Sequence, residues 1–241
     1  MSVPTVPELE IQSIIFTPSQ LRNSSYLPEL MTLMNNAFGY AFRDLFPPPP
    51  RGRYRFSHPS QIVDAVGEYG RCCVLFMLDQ DQKTPVAITA LKPYKEDPSP
   101  RGPSPGGSQS NVAVERPEKP ELETQCSIQG NMEEATTDWE IACVAVKDDP
   151  RFRKKGLAIR CIEELERDLS QRLAKTGDYP NDKENGVTAK LTSWIRCHEL
   201  IEPYWAKRGF QQVKEKMMPI GFWGNIRPFR LVFMRRPMIV L

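Results

Sequence analysis

The chain has 241 residues, of which 40% are hydrophobic and 26% are charged, so it is long enough to bury a sizeable core. Its formal net charge of +2 argues against a dedicated nucleic-acid binder, because acidic residues balance the basic ones along most of the chain. It has 2 histidines, and its 6 cysteines show no paired metal-type spacing, so we expect no metal site. The cysteines are expected to be reduced core residues.

The sequence also bears on where the protein is found. Its first ten residues lack the charged and apolar regions of a secretion signal, and the longest apolar runs are far too short to span a bilayer. We therefore expect no membrane attachment and a cytoplasmic location, with the nucleus as an alternative. The oligomeric state stays open between a monomer and a homodimer.

Strands and helices alternate in the first part of the chain. The apolar spacing predicts strands over residues 9–16, 71–78 and 85–93, and helices over residues 27–42 and 60–69. The segment Thr17-Pro18-Ser19 follows the first strand, and its threonine or its serine is a candidate helix cap. Between the two helices, residues 46–56 form a proline-rich loop in which arginines alternate with aromatic residues. This loop is either a solvated surface segment or part of a wall that binds an acidic or aromatic acceptor.

The segment at about 95–137 differs from the rest of the chain. It is rich in proline, serine, glycine and glutamate and has almost no large apolar residues. Such a segment cannot bury enough apolar surface to offset the entropy lost on ordering. We expect a mostly disordered insertion between two strands of a single domain spanning residues 1–241.

The stretch from Trp139 to Arg172 organises the chain. Residues 139–146 form an apolar run typical of a central strand, and the spacing of apolar residues from Leu157 onward predicts a helix with one buried stripe. Between them lies a basic loop that contains Gly156. A helix N-terminus offers unpaired N–H groups and partial positive charge, which suit a phosphate or pyrophosphate. The alternative is a solvated basic loop.

The last part of the chain supplies further elements. We expect a polar connection over residues 174–186, a strand over 187–194, a short helix from His198 that ends at Gly209, and strands over 211–218 and 228–234. Together the elements predict an α/β fold, a mixed sheet of about seven strands with helices on both faces.

Two separated motifs resemble one family. The loop Arg153-Lys154-Lys155-Gly156-Leu157-Ala158 resembles the acyl-CoA pyrophosphate loop of the GNAT superfamily of N-acetyltransferases. About fifty residues later, the segment from Tyr204 to Phe210 resembles the closing helix of that family and its Gly-Phe end. With its insertion, the chain resembles a fungal-type member.

The resemblance implies a sheet that splays between its fourth and fifth strands, with acetyl-CoA as co-substrate. The backbone of the central strand would pair with the pantetheine arm, and the loop and helix start would hold the pyrophosphate. The residues implied in cofactor binding are Val144, Ala145, Val146, Arg151, Arg153, Lys154, Lys155, Gly156, Leu157, Ala158, His198 and Trp205.

The resemblance also suggests catalytic residues. Glu140 is the one acid in an apolar strand and matches a glutamate that many of these enzymes use as a base, although an exposed strand edge would explain it equally. The tyrosine that the family uses as general acid is replaced by Trp205, so Tyr204 is the candidate, with aromatic packing as its alternative role. His198 could bind the cofactor, relay a proton or be an ordinary surface histidine.

The sequence therefore predicts transfer of an acetyl group from acetyl-CoA to a primary amine, with a small-molecule amine favoured over a protein lysine. The acceptor wall is expected near residues 42–56 and 217–228, including Phe222 and Trp223. The alternative is an acyl-CoA-binding regulatory or interaction module without catalysis, which the tryptophan at position 205 favours. A nucleotide hydrolase is disfavoured, because no Gly-x-x-x-x-Gly-Lys-Ser/Thr loop occurs.

Overall fold

A computed structural model describes residues 10–45, 54–79, 82–95, 137–176, 181–182, 187–188 and 191–238. The main sheet consists of β1 (Ile11–Phe16), β2 (Arg71–Asp79), β3 (Gln82–Pro93), β4 (Asp138–Val146), β5 (Thr192–His198), β6 (Gln211–Met218) and β7 (Phe229–Pro237). The α-helices are α1 (Pro18–Arg22), α2 (Leu27–Ala41), α3 (Ser60–Val66), α4 (Leu157–Thr176) and α5 (Glu202–Ala206). Short 3₁₀ turns cover Glu199–Ile201 and Phe222–Gly224.

The sheet has seven strands in the order β1-β2-β3-β4-β5-β7-β6. The central pair, β4 and β5, is parallel, and the other neighbouring strands are antiparallel. The parallel pair separates early, because its register runs only from Asp138 opposite Thr192 to Ile141 opposite Ile195. The predicted seven-stranded mixed sheet, splayed between its fourth and fifth strands, is therefore confirmed.

Both faces of the sheet are covered because its central strands are apolar on both sides. Along β2, Cys73 and Leu75 pack into the core that includes α4, whereas Val74 and Phe76 pack into the core that includes α1, α2 and α3. This alternation follows from the two-residue period of a strand. The near-continuous apolar run of β2 in the sequence is the signature of such a doubly covered strand.

Local signals in the sequence fix several element boundaries. Thr17 caps α1 through a capping box with Gln20, as its position after the first strand predicted. Gly209 adopts a positive φ of 82° after α5, and Phe210 then turns into the core, where it is buried. Helix α4 begins at Leu157, the residue at which the apolar periodicity begins.

Three expectations about elements need correction. The strand expected over residues 187–194 runs instead over Thr192–His198, and residues 187–188 pair with residues 181–182 in a separate two-residue ladder. The observed strand includes Arg196, whose guanidinium pairs with Glu140 on the neighbouring strand. The helix expected from His198 is a 3₁₀ turn followed by α5, and the strands expected over residues 71–78 and 85–93 extend to Asp79 and back to Gln82, respectively.

Several expectations fall outside the described residues. Almost all of the insertion expected at 95–137 and residues 46–53 of the proline-rich loop lie there. The five described cysteines are free and buried, in agreement with their expected place in the core. Within the described ranges, no helix combines the length and apolar character needed to cross a membrane.

Candidate active site

The separation of β4 and β5 opens a slot in the middle of the sheet. A β-bulge interrupts the pairing of β4 with β3, where Ile88 lies opposite Ala145 and Ala90 lies opposite Ala142. Within the bulge, Cys143 adopts a φ of 54°, a conformation that non-glycine residues seldom adopt. Beyond Ile141, β4 therefore keeps its partner on one side and presents an unpaired edge on the other.

The basic loop leads directly into α4. The first helical hydrogen bond runs from Arg160 N to Gly156 O at 2.9 Å, so the N–H groups of the preceding first turn have no partners within the helix. Gly156 has a φ of 76°, which a side chain would strain, and Lys154 has a φ of 58°. Phe152 anchors the loop because its side chain is buried in the core.

A cleft of about 890 Å³ lies between this loop, the free edge of β4, the end of α2 and α5. The predicted cofactor-binding residues that line it are Val144, Ala145, Val146, Arg153, Lys154, Gly156, Leu157, Ala158 and Trp205. Arg151 and Lys155 do not line it. The side chain of Arg151 instead makes hydrogen bonds to Asp149 of 2.7–3.1 Å, which lower the pKa of that carboxyl to about 2.

Arg153 is engaged with groups of the protein at the mouth of this cleft. Its guanidinium lies 3.7 Å from the ring centroid of Tyr40 and pairs with Asp148. The hydrogen bond to Tyr40 raises the pKa of Arg153, so its charge is secure. An anion bound here would therefore have Arg153 beside it but would compete with Asp148 for the guanidinium.

A second, smaller cavity of about 90 Å³ lies in the slot itself. Its charged lining residues are Arg55, Glu140 and Arg196. The two cavities are adjacent and share a wall formed by Phe38, Phe42, Val144, Ile201 and Trp205. The molecule thus has a wide basic cleft and a narrow charged pocket with a common wall.

Glu140 is 6% exposed, so it does not lie on an exposed strand edge. Arg196 on β5 holds both of its oxygens, with Nε 3.0 Å from Oε1 and Nη2 3.0 Å from Oε2. Lys92 on β3 lies 3.8 Å from Oε2. A carboxylate has about four acceptor positions, so these partners leave it able to accept a further hydrogen bond from a ligand or water.

His198 lies in the small pocket and not in the wide cleft. Its ring is buried between Phe42, 5.1 Å away between centroids, and Phe229, 4.9 Å away. Its Nδ1 accepts a hydrogen bond from Leu200 N at 3.0 Å, which assigns the proton of the neutral ring to Nε2. Burial lowers the pKa of His198, so the neutral form is favoured.

Trp205 and Tyr204 differ in their access to the two cavities. Trp205 is 2% exposed and lines both, and its indole Nε1 has no hydrogen-bond partner among the described residues. Tyr204 is 36% exposed and lines only the wide cleft, with the guanidinium of Arg208 3.4 Å from its ring centroid. Burial raises the pKa of the Tyr204 hydroxyl, so it keeps its proton at neutral pH.

Arg55 is a pocket residue that the sequence suggested only as part of an arginine-rich loop. Its guanidinium lies between two rings, with Cζ 3.9 Å from the centroid of Phe38 and 4.5 Å from that of Trp223. Asn35 on α2 fixes the neighbouring backbone by bonding both the N–H and the C=O of Phe56, at 3.0 and 2.9 Å. No signal in the sequence singled out Asn35.

The loop before β7 places Trp223 over Arg55. Trp223 has a φ of 55° between Gly221 and Gly224, whose φ values are 92° and 83°. The buried Asn225 holds the loop by donating hydrogen bonds to the carbonyls of Pro219 and Arg227. The loop thus places Trp223 in the lining of the small pocket, and the role of Phe222 and Trp223 in an acceptor wall stays a prediction.

Comparisons with known proteins give structural similarity only. No family model and no curated protein matches the chain. An acyl-CoA N-acyltransferase from Pseudomonas aeruginosa matches at 12% identity over 94% of this chain and 99% of its own, with a TM-score of 0.44. NAA60 from Arabidopsis thaliana, solved with a bisubstrate analogue, matches at 13% identity over 95% and 100%, with a TM-score of 0.46.

ElaA from Escherichia coli matches at 13% identity over 94% of this chain and 99% of its own, with a TM-score of 0.45.

Proposed function

We propose that the protein is an N-acyltransferase that moves an acetyl group from acetyl-CoA to a small primary amine. The observation that carries the proposal is the adjacency of the two cavities at the slot between β4 and β5, where they share a wall. A reaction between two substrates needs each in its own site, with their reactive ends in contact. A wide basic cleft that shares a wall with a narrow pocket, in which a buried glutamate lies, suits that arrangement.

The residues of the wide cleft fit an acyl-CoA. The N–H groups at the start of α4, together with Arg153 and Lys154, suit a pyrophosphate, and Gly156 lets the backbone approach it. The free edge of β4 from Val144 to Val146 suits the amide groups of a pantetheine arm. Such a co-substrate would supply an activated acyl thioester at the slot.

Glu140 is the proposed base. Arg55 and Arg196 line the same pocket, and like charge lowers the pKa of an ammonium held beside them, which favours loss of its proton. Glu140 then accepts that proton directly or through a water molecule. Its ion pairs with Arg196 and Lys92 keep the carboxylate in place for this step.

Two neighbouring aromatic residues can serve the leaving thiolate. Trp205 has an unpartnered indole N–H in the wall that the cavities share, and a donor held there stabilises negative charge without giving up its proton. Tyr204 keeps its proton at neutral pH and lines the cleft, so it is the proposed general acid. His198 presents the Nε2–H group of a neutral ring in the small pocket and is a proposed hydrogen-bond donor there.

A second candidate function is an acyl-CoA-binding module without catalysis. The replacement of the family's tyrosine by Trp205 favours it, as does the occupation of both Glu140 oxygens by cations. Both candidates require acyl-CoA binding, and only the enzyme requires turnover of an amine.

Ligand binding is the first experiment. Thermal unfolding with acetyl-CoA at about a hundred times its dissociation constant should reveal a stabilisation of about 2.7 kcal/mol. A Gly156→Glu variant should lose this stabilisation, because the new carboxylate repels the pyrophosphate. The matched control is Gly67→Glu, since Gly67 has a φ of 73°, close to the 76° of Gly156, and neither position has an atom within 4 Å of an added Cβ.

Both variants place a side chain at a positive φ, but only Gly156→Glu puts a carboxylate in the cleft. Acetyl-CoA should still stabilise the Gly67→Glu variant. If acetyl-CoA leaves the unfolding of the unmodified protein unchanged, the acyltransferase proposal and the binding-module alternative both fail. Release of free thiol on addition of small amines then separates the enzyme from the non-catalytic module.

A further inference from the structure

Arg55 is the least compensated charge in the small pocket. Its Nη1 atom is buried and has no hydrogen-bond partner among the described residues, and no ion pair joins Arg55 to a carboxylate within those residues. Leaving a guanidinium N–H buried without an acceptor is costly. Burial lowers the pKa of Arg55 to about 10, so the guanidinium remains charged at neutral pH.

The geometry around Arg55 restricts what can reach it. The ring centroids of Phe38 and Trp223 lie 3.9 and 4.5 Å from Cζ of Arg55, so these rings block a ligand from the faces of the guanidinium. Its N–H groups lie in the guanidinium plane, as the planar fork of arginine requires, and that fork matches a carboxylate. Asn35 and the strained Trp223 hold this arrangement in place.

The charge balance of the pocket also favours an anionic group on the ligand. Among the described residues that line it, two arginines face one glutamate, and Lys92 adds a further positive charge next to that glutamate. A pocket built for a simple amine would be expected to be acidic, because an amine arrives as an ammonium ion. This one has spare positive charge.

We infer that the acceptor is a small amino-carboxylate, whose carboxylate binds the in-plane N–H groups of Arg55 while its amine lies beside Glu140. This inference rests on the proposed function and names its substrate class. The volume of about 90 Å³ suits a compact acceptor of this kind. A peptide acceptor would present its amine without a neighbouring free carboxylate.

The test compares L-alanine with L-alaninamide and ethylamine as acceptors, with thiol release from acetyl-CoA as the readout. L-alanine should have the highest kcat/KM. Arg55→Met should lower kcat/KM for L-alanine about 10–100-fold more than for ethylamine: both amines lose a positive charge that favours deprotonation, but only the amino acid loses a charged hydrogen-bond partner. For L-alanine, the kcat/KM of Arg55→Lys should lie between those of the unmodified protein and Arg55→Met, because the lysine ammonium keeps the charge but lacks the planar fork of donors.

The ratio of the two amines within one preparation does not depend on how much of a variant is folded. The matched control is Arg227→Gln, which removes an exposed arginine of the loop that carries Trp223 and should leave the ratio unchanged. Equal use of the three amines by the unmodified protein would overturn the inference, as would an equal loss for all amines in Arg55→Met. Preference for a C-terminally blocked peptide would also overturn it.

A binding readout separates this inference from the proposed function. N-acetylalanine should change the tryptophan fluorescence saturably, because Trp223 packs on the guanidinium, and N-acetylalaninamide should not. The change should be absent in Arg55→Met. If acetyl-CoA fails to bind, the proposed function fails; if acetyl-CoA binds and N-acetylalanine does not, only the carboxylate site is wrong.

Discussion

Glu140 and Glu166 are both buried carboxylates that pair with an arginine, yet their surroundings differ. Glu166 on α4 is 1% exposed and accepts hydrogen bonds from Ser193 Oγ at 2.6 Å and from Arg236 Nη2 at 2.9 and 3.0 Å. It lines neither of the two cavities. Glu140 faces one of them. A buried ion pair therefore indicates a catalytic role only where a ligand can reach it.

Strand β5 contacts both carboxylates, one from each of its two faces. Ser193 bonds Glu166, and Arg196 pairs with Glu140. Burial raises the pKa of Glu166, while Ser193 and Arg236 oppose that shift. We therefore expect Glu166 to govern stability and Glu140 to govern activity. Three measurements test these roles of the buried groups.

The largest expected effect is on stability. Glu166→Ala should lower the free energy of unfolding by about 3–5 kcal/mol, because it leaves Arg236 partly buried without its partner. Urea denaturation measures the change. Glu163→Ala, at an exposed position of the same helix, is the matched control and should cost little. A loss below about 1 kcal/mol for Glu166→Ala would contradict a structural role.

The second effect is on turnover. Glu140→Gln keeps the shape of the side chain but removes the proposed base, so kcat should fall by about 10²–10⁴-fold. Steady-state thiol release with a saturating amine measures it. The affinity for acetyl-CoA should change little, since Glu140 does not line the wide cleft.

Glu166→Gln is the reciprocal control and should leave kcat within about threefold in the fraction that is folded. An unchanged kcat in Glu140→Gln would remove Glu140 from the mechanism and favour the non-catalytic module.

The smallest expected effect is the pH dependence of stability that comes from His198, a buried titratable residue at the end of β5. Burial lowers the pKa of His198, so between that lowered pKa and its ordinary value of 6.5 the unfolded chain binds a proton that the folded chain does not. Stability therefore rises with pH through this window and falls on acidification. His198→Asn can still accept from Leu200 N and should lack this component.

Urea denaturation of both proteins at pH 7.5, 6.5 and 5.5 gives the difference in unfolding free energy. The advantage of the histidine protein should shrink as the pH falls. Titration of Glu166 is common to both proteins and cancels in the difference. A difference that stays constant across the three pH values would show that His198 is not held neutral.

Local patterns predicted much of the fold. The periodicity of α4, the doubly apolar β2 and the Gly209-Phe210 turn are each encoded within a few residues, and each was placed correctly. Strand β5 was expected over residues 187–194 but runs over Thr192–His198 and contains the charged residue Arg196. Its burial depends on Glu140, a partner distant in sequence, which a local pattern cannot reveal.

The site follows the same rule. The basic loop was predictable because it is contiguous, and Glu140 stood out as an acid in an apolar strand. The stacking of Arg55 between Phe38 and Trp223 joins three separate parts of the chain, so the sequence indicated only an arginine-rich wall. Glu166 resembled an ordinary charged residue of an amphipathic helix until its burial was known.

The common wall of the two cavities has a thermodynamic consequence. Phe38 and Phe42 near the end of α2 contact both spaces, so a ligand that orders these rings from one side alters the surface offered to the other. Linkage requires any such effect to be mutual: the factor by which the amine changes the affinity for acyl-CoA equals the factor by which acyl-CoA changes the affinity for the amine. Under the proposed function, Phe38 and Phe42 are therefore where binding of one substrate would change the affinity for the other.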